Sequence, residues 1–150
     1  MKEELDKKLV KSFPNLYADR HASMNVTAMC WGFPGDGWYP LIWELSKRLE
    51  KIIVAMPEED RKNFRASQVK EKFGTLRFYM SAETKEMSAL INKAENKSCA
   101  TCERCGRPGK TVGGGWVKTT CKKHKDVKYS GKDVELDWRV KLLHWIKNIF

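Results

Sequence analysis

The chain has 150 residues, 41% hydrophobic and 32% charged, a balance that suits one domain with a real apolar core and excludes disordered and fibrous classes. Its net charge of +10 is uneven: residues 1–50 sum to zero, residues 51–100 to +3 and residues 101–150 to +7. No apolar run has the length of a membrane span, and the mixed-charge start "MKEELDKKLVKSF" has no signal-like apolar stretch, so the five cysteines are expected in a reducing cytoplasm.

Residues 1–20 read as a short helix with Leu5, Leu9 and Val10 on one side, stopped at Phe13-Pro14. The stretch "MNVTAMCWGFPGDGWYP" is dense in aromatics, Gly and Pro, and predicts an extended segment from Asn25 to Trp31 followed by a tight loop. Trp38, Leu41, Ile42, Leu45, Leu49, Ile52, Ile53 and Met56 then step by three and four, the stripe of an amphipathic helix. Pro40 fits its first turn, Asp36 or a neighbour is placed to cap it, Pro57 should end it, and "EEDRKN" follows as a charged loop.

The segment "FRASQVKEKFGTLRFYM" alternates in two arms and predicts a β-hairpin with Gly74 in the turn, Val69 and Glu71 in the first arm, and Leu76, Phe78 and Met80 sharing a face in the second, the first arm being open also to a helical turn. Ser81 is placed to cap a further helix whose buried stripe is Met87, Leu90, Ile91 and Ala94. The end of the chain, "DVELDWRVKLLHWIKNIF", reads as another amphipathic helix, with Val134, Trp138, Leu142, Trp145, Ile146 and Ile149 on one side. These elements give a small α+β fold: residues 1–125 as a domain closed by a metal-binding segment at 99–125, and residues 126–150 as a basic amphipathic helix or tail.

The stretch "CERCGRPGKTVGGGWVKTTCKKH" carries the clearest chemistry. Cys102 and Cys105 stand three apart before a Gly, the spacing by which one tight turn presents two thiolates, and Cys121 and His124 repeat it. Two such pairs make a Cys3His, knuckle- or ribbon-like site for structural Zn2+. The site is closed by four protein ligands, and Glu103 is expected to point outward from the knuckle. Three thiolates and one neutral imidazole around a divalent ion leave a net charge of −1, which neighbouring Arg104, Arg107, Lys122 and Lys123 can offset. Cys99 could enter in place of His124, but two complete pairs are preferred to a triplet and a single.

Other residues offer function less sharply. Asp36, Glu44 and Glu71 are candidate carboxylates for acid–base chemistry, though a capping role for Asp36 and a solvated helix face for Glu44 explain them equally. His21 and His144 are solitary, and Cys30 fits a small apolar packing role. On the hairpin, Lys70, Lys72 and Arg77 interleave with Phe73, Phe78 and Tyr79, a pattern that can meet nucleic acid or simply face solvent. Lys110, Trp116, Lys118, Lys122 and Lys123 surround the cysteine stretch, where Trp116 could stack a base or pack over the metal. A membrane-surface role for the final helix is weaker than docking on protein.

Taken in order, Met29-Cys30-Trp31-Gly32-Phe33, Gly35-Asp36-Gly37-Trp38, Gln68 to Tyr79, Cys102 to Gly109 and Gly114 to His124 resemble a family of small, mostly uncharacterised phage and prophage zinc-binding proteins. The resemblance spans roughly residues 10–125. It implies a phage or prophage origin, a bacterial cytoplasm, and Cys102, Cys105, Cys121 and His124 as ligands, but brings no biochemical activity. The reading is a zinc-stabilised binding protein that acts on nucleic acid, or on a host nucleic-acid-handling or defence protein as inhibitor or modulator. The alternative is an enzyme with a composite site around Asp36, Glu44 and the 68–79 hairpin.

Overall fold

The computed structural model describes residues 1–113 and 117–125. Two antiparallel hairpins and four helices make up these residues, an α+β fold. Helix α1 is Glu3–Ser12, α2 is Tyr39–Val54, α3 is the single turn Glu58–Arg61 and α4 is Lys85–Ser98. Strands β1 (Ala66–Lys72) and β2 (Thr75–Met80) form the first hairpin, and β3 (Lys110–Val112) and β4 (Lys118–Thr120) the second. Three 3-10 turns, Ala28–Trp31, Asp36–Trp38 and Lys122–His124, complete the set.

The core is built by α2 packing on α4, and α4 on β2. Trp38, Leu41, Ile42, Leu45, Leu49 and Ile53 from the expected stripe are buried, with Ile52 and Met56 at its margin. Met87, Ile91 and Ala94 of α4 meet Val69, Leu76 and Phe78 of the hairpin in the same core. Leu49 is fully buried there. Leu49→Ala is therefore expected to cost about 2–5 kcal/mol, measured by denaturant unfolding, because it leaves a cavity that a packed core refills poorly.

Polar ties fix the segment after α1. Glu50 on α2 accepts the backbone N–H groups of Asn15 and Leu16 at 3.1 and 2.8 Å, and the Asn15 side-chain amide at 2.8 Å. The Tyr17 hydroxyl and Ser46 Oγ lie 2.5 Å apart in the interior. Trp43, off the α2 stripe, is half-buried against Phe13, with ring centroids 4.8 Å apart.

The hairpin turn is Phe73-Gly74, both with positive φ (53° and 77°), as the two central residues of a type I′ turn require. Glycine takes that conformation without cost, and Glu71 Oε1 accepts the Gly74 N–H at 2.5 Å to hold the turn. The pairing Lys72↔Thr75, Lys70↔Arg77 and Gln68↔Tyr79 puts the polar and basic residues on one face, while Val69, Leu76 and Phe78 are buried on the other. At the outer edge of β2, the N–H groups of Leu76 and Phe78 donate to Ser98 Oγ (2.8 Å) and Glu95 Oε1 (3.0 Å), so α4 caps that edge with side chains.

Several boundaries differ from the sequence expectation, each for a local reason. The stretch before Trp31 is a 3-10 turn rather than extended, begun by Thr27, whose Oγ1 accepts the Met29 N–H. Asp36 does not cap α2; its Oδ1 accepts the Lys2 N–H at 2.7 Å, capping the start of α1 from across the chain. Helix α2 stops at Val54, and "EEDR" is a helical turn, because Pro57 starts α3. Thr84, not Ser81, caps α4 through Met87 N–H, while Ser81 Oγ ties Arg65 N–H to the carbonyl of Asn63. The expected final helix at 126–150 and Trp116 lie outside the described residues. No helix among the described residues is long and apolar enough to cross a membrane.

Candidate metal centre

Among the described residues of the metal-binding segment, the buried cluster is Cys102, Cys105 and Cys121. The knuckle closes through Gly106 N–H to Cys102 carbonyl and Cys102 N–H to Arg107 carbonyl, both 2.8 Å. A bridge between Thr101 and Pro108 continues the turn toward β3. From the other side, β4 delivers Cys121, and the 3-10 turn Lys122–His124 returns the imidazole, with His124 N–H donating to the Cys121 carbonyl at 2.9 Å.

Cys102, Cys105, Cys121 and His124 are all buried, and their donor atoms lie within 4.8 Å of one another. Cys105 Sγ and Cys121 Sγ are 3.7 Å apart, and His124 Nδ1 sits 3.5 Å from Cys102 Sγ and 3.4 Å from Cys121 Sγ. A tetrahedral ion with bonds of about 2.3 Å to sulfur and about 2.0 Å to nitrogen has S···S edges of about 3.8 Å and S···N edges of about 3.5 Å. The three edges just given match those of such an ion, and all four donors lie close enough to share one. These four residues could hold a metal ion, with Nδ1 as the nitrogen ligand.

Cys99 stands apart, exposed, its thiol 3.6 Å from the Glu95 carbonyl at the end of α4. A hydrogen bond from Cys105 draws the Cys102 thiol down to about 4, and the same interaction with Cys102 pushes Cys105 up. Arg107, Lys122 and Lys123 are exposed, so they offset charge on the cluster through solvent.

Glu103 is the main correction to the site. It does not point outward; it is buried, with Oε1 accepting Gly35 N–H at 3.2 Å, and burial pushes its carboxyl up despite that hydrogen bond. Its carbonyl accepts Gly37 N–H at 2.7 Å, and its own N–H donates to the Thr119 carbonyl at 3.1 Å. Trp38 Nε1 donates to the Thr101 carbonyl at 2.7 Å. The "GDGW" loop thus seats the metal segment on the helical core.

A second seam lies at the other motif. Thr119 Oγ1, fully buried, donates to the Gly74 carbonyl at 2.6 Å and lies 2.8 Å from Thr111 Oγ1, so the tip of the first hairpin rests on the second. Thr119→Val should lower stability by about 1–3 kcal/mol, read from thermal melting, because the Gly74 carbonyl loses its partner in the interior.

Of the other candidates, Lys70, Lys72 and Arg77 share the outer hairpin face with Tyr79; Lys70 Nζ lies 5.5 Å from the Tyr79 ring and Lys72 Nζ 5.5 Å from the Phe73 ring. Arg77 is held partly by Glu95, at 3.7 Å. Lys118 runs past Gly74 on β4, Lys110 is exposed at the start of β3, and Lys122 and Lys123 are exposed between two ligands. Asp36 is engaged by Lys2, and neither it nor Glu44 lines the cavity beside β1. Cys30 is half-buried, donating to the Thr27 carbonyl at 3.3 Å.

No protein-family model, no curated protein and no solved structure matches the chain.

Proposed function

We propose that the chain is a small zinc-stabilised binding module whose basic hairpin face meets nucleic acid. Three thiolates and an imidazole in tetrahedral array are the donor set of structural zinc, and four protein ligands leave no open position for chemistry. Zinc here joins the knuckle to the end of β4, and so holds β3 and β4 against the "GDGW" loop and the first hairpin.

The observation that carries the binding reading is the outer face of the first hairpin. Lys70, Lys72 and Arg77 lie together there with exposed Tyr79, and exposed Phe73 stands at the tip. Cations beside aromatic rings on a sheet suit a single strand, with phosphates on the lysines and bases on the rings. Backbone contact at Gly74 places Lys118 of the metal segment beside that tip. Lys110, Lys122 and Lys123 extend the basic surface, and the resemblance to phage proteins puts the partner in a bacterial host cytoplasm. The composite-enzyme reading is weaker, since Asp36 serves as a cap.

The test is binding of labelled single-stranded DNA and RNA across a salt series. With about four phosphate contacts, affinity should fall about 50-fold between 50 and 200 mM salt, and the double variant Lys70→Ala, Lys72→Ala should reduce the log–log slope by about 1.4. Absence of binding at low salt would defeat this reading and turn the search to a host protein.

A further inference from the structure

Beside β1, on the side away from β2, lies a cavity of about 540 Å3, within the range of small-ligand pockets. Trp31, Phe33, Glu71 and Glu103 line it, together with Lys70 and Lys118. Trp31 is 71% exposed, a large aromatic surface presented to solvent beside an opening. Glu103 is 93% buried, since only 7% of it is accessible, so a carboxylate sits deep in the site.

Hairpin register decides what β1 shows the cavity. Lys72↔Thr75 closes a two-residue turn, so alternate residues turn their backbone groups out of the hairpin. Leu76 and Phe78 do so on β2, where Ser98 and Glu95 meet their N–H groups. Their cross-strand partners Glu71 and Val69 therefore turn N–H and C=O outward on the opposite edge, where the cavity lies. Further along that edge Thr27 Oγ1 already donates to the Ser67 carbonyl at 3.0 Å.

The site thus combines an aromatic plate, a strand edge with both donors and acceptors, and two carboxylates with two lysines, Lys70 and Lys118, inside a protein of net charge +10. Carboxylates accept hydrogen bonds and repel both phosphate and the carbonyl edge of a uracil or thymine. Guanine presents adjacent N1–H and N2–H2 donors, a pair that one carboxylate can accept at both oxygens. Adenine and cytosine each set a single amino group beside a ring acceptor.

We infer that this cavity takes one unpaired guanine base, stacked on Trp31 and read through Glu71 and Glu103, while the adjoining phosphates run over Lys70 and Lys72. The inference rests on the nucleic-acid reading above and gives it a base preference. Lys70 stands at the junction, lining the cavity and belonging to the basic face.

The experiment compares a labelled oligouridylate of about twelve nucleotides with the same strand carrying one central guanine, at low salt and along a salt series. The guanine strand should bind at least about tenfold tighter, the discrimination expected of one bidentate pair. Glu71→Gln keeps an oxygen for the Gly74 N–H, and Trp31→Ala removes only an exposed ring; each should cut the guanine advantage to about twofold or less, with melting temperature and salt slope unchanged. Equal affinity for both strands, or an advantage that survives both variants, overturns the guanine pocket and leaves the basic face standing. No binding of either strand overturns both readings.

Discussion

Gly37→Ala is expected to destabilise the protein by about 3–5 kcal/mol, a large share of the stability of a domain this size, and to loosen its hold on the metal. A Cβ at Gly37 would stand 2.3 Å from the Cys102 carbonyl oxygen, 2.4 Å from Cys105 N and 2.5 Å from Gly106 N. All three are backbone atoms of the knuckle that carries two ligands, so no side chain can swing aside. Relief requires the knuckle to move off the loop, and that breaks Gly37 N–H to Glu103 carbonyl and Trp38 Nε1 to Thr101 carbonyl, each 2.7 Å. Gly113→Ala is the control. Among the described residues its Cβ would meet nothing nearer than Val117 at 4.0 Å, and stability should stay within about 0.5 kcal/mol. Thermal melting, together with the rate of zinc transfer to a chromogenic chelator, measures both effects. Equal melting temperatures for the two variants would mean that the metal segment does not seat on the loop as described.

The elements that periodicity marks strongly were legible in the sequence. The α2 stripe, the 68–79 hairpin with its turn at Gly74, and the paired ligand spacings are local signals, each decided by residues within a few positions of one another. What escaped is non-local. "GDGW" reads as a turn, yet its glycines are there because another segment's backbone lies against them; Gly37 is 65 residues from Cys102 in sequence. The two glycines around a single Asp were the available clue, since a helix start needs neither. Glu103 was misread because charge suggests solvent, whereas the Gly35 N–H offers its carboxylate a partner in the interior. Asp36 likewise looked like the cap of the helix it precedes and instead caps α1, whose start the fold brings alongside. Thr119 gave no signal at all: a threonine in "VKTTC" suggests a strand, and only the docked hairpin tip explains its burial.

Removing the metal should undo the C-terminal half of this arrangement and leave the rest. Zinc bound by four protein ligands contributes apparent free energies of about 10–16 kcal/mol in small zinc-folded units, and the described residues of this segment bury little besides the four candidate ligands. Strands β3 and β4 are three residues each, and the segment's buried cluster among the described residues is Cys102, Cys105 and Cys121, all candidate ligands. The helices, by contrast, share an apolar core with the first hairpin that includes Leu49, Ile53, Phe78 and Met87, none of them a ligand. Chelation, Cys121→Ser or His124→Ala should therefore release one zinc per chain and raise amide exchange sharply across residues 101–125. Most helical circular dichroism should survive, with a fluorescence change from Trp38 as its contact with Thr101 opens. Acid should act in the same direction. Each ligand binds zinc only when deprotonated, so falling pH sets protons in competition with the ion and affinity declines as the thiolates and imidazole take them up. The purified protein's zinc content, followed by exchange with and without chelator, decides the matter. Full protection at 101–125 in a zinc-free sample would show that hydrogen bonds to Gly35, Gly37 and Gly74 suffice, and the four donors would then be a packed cluster rather than a metal site.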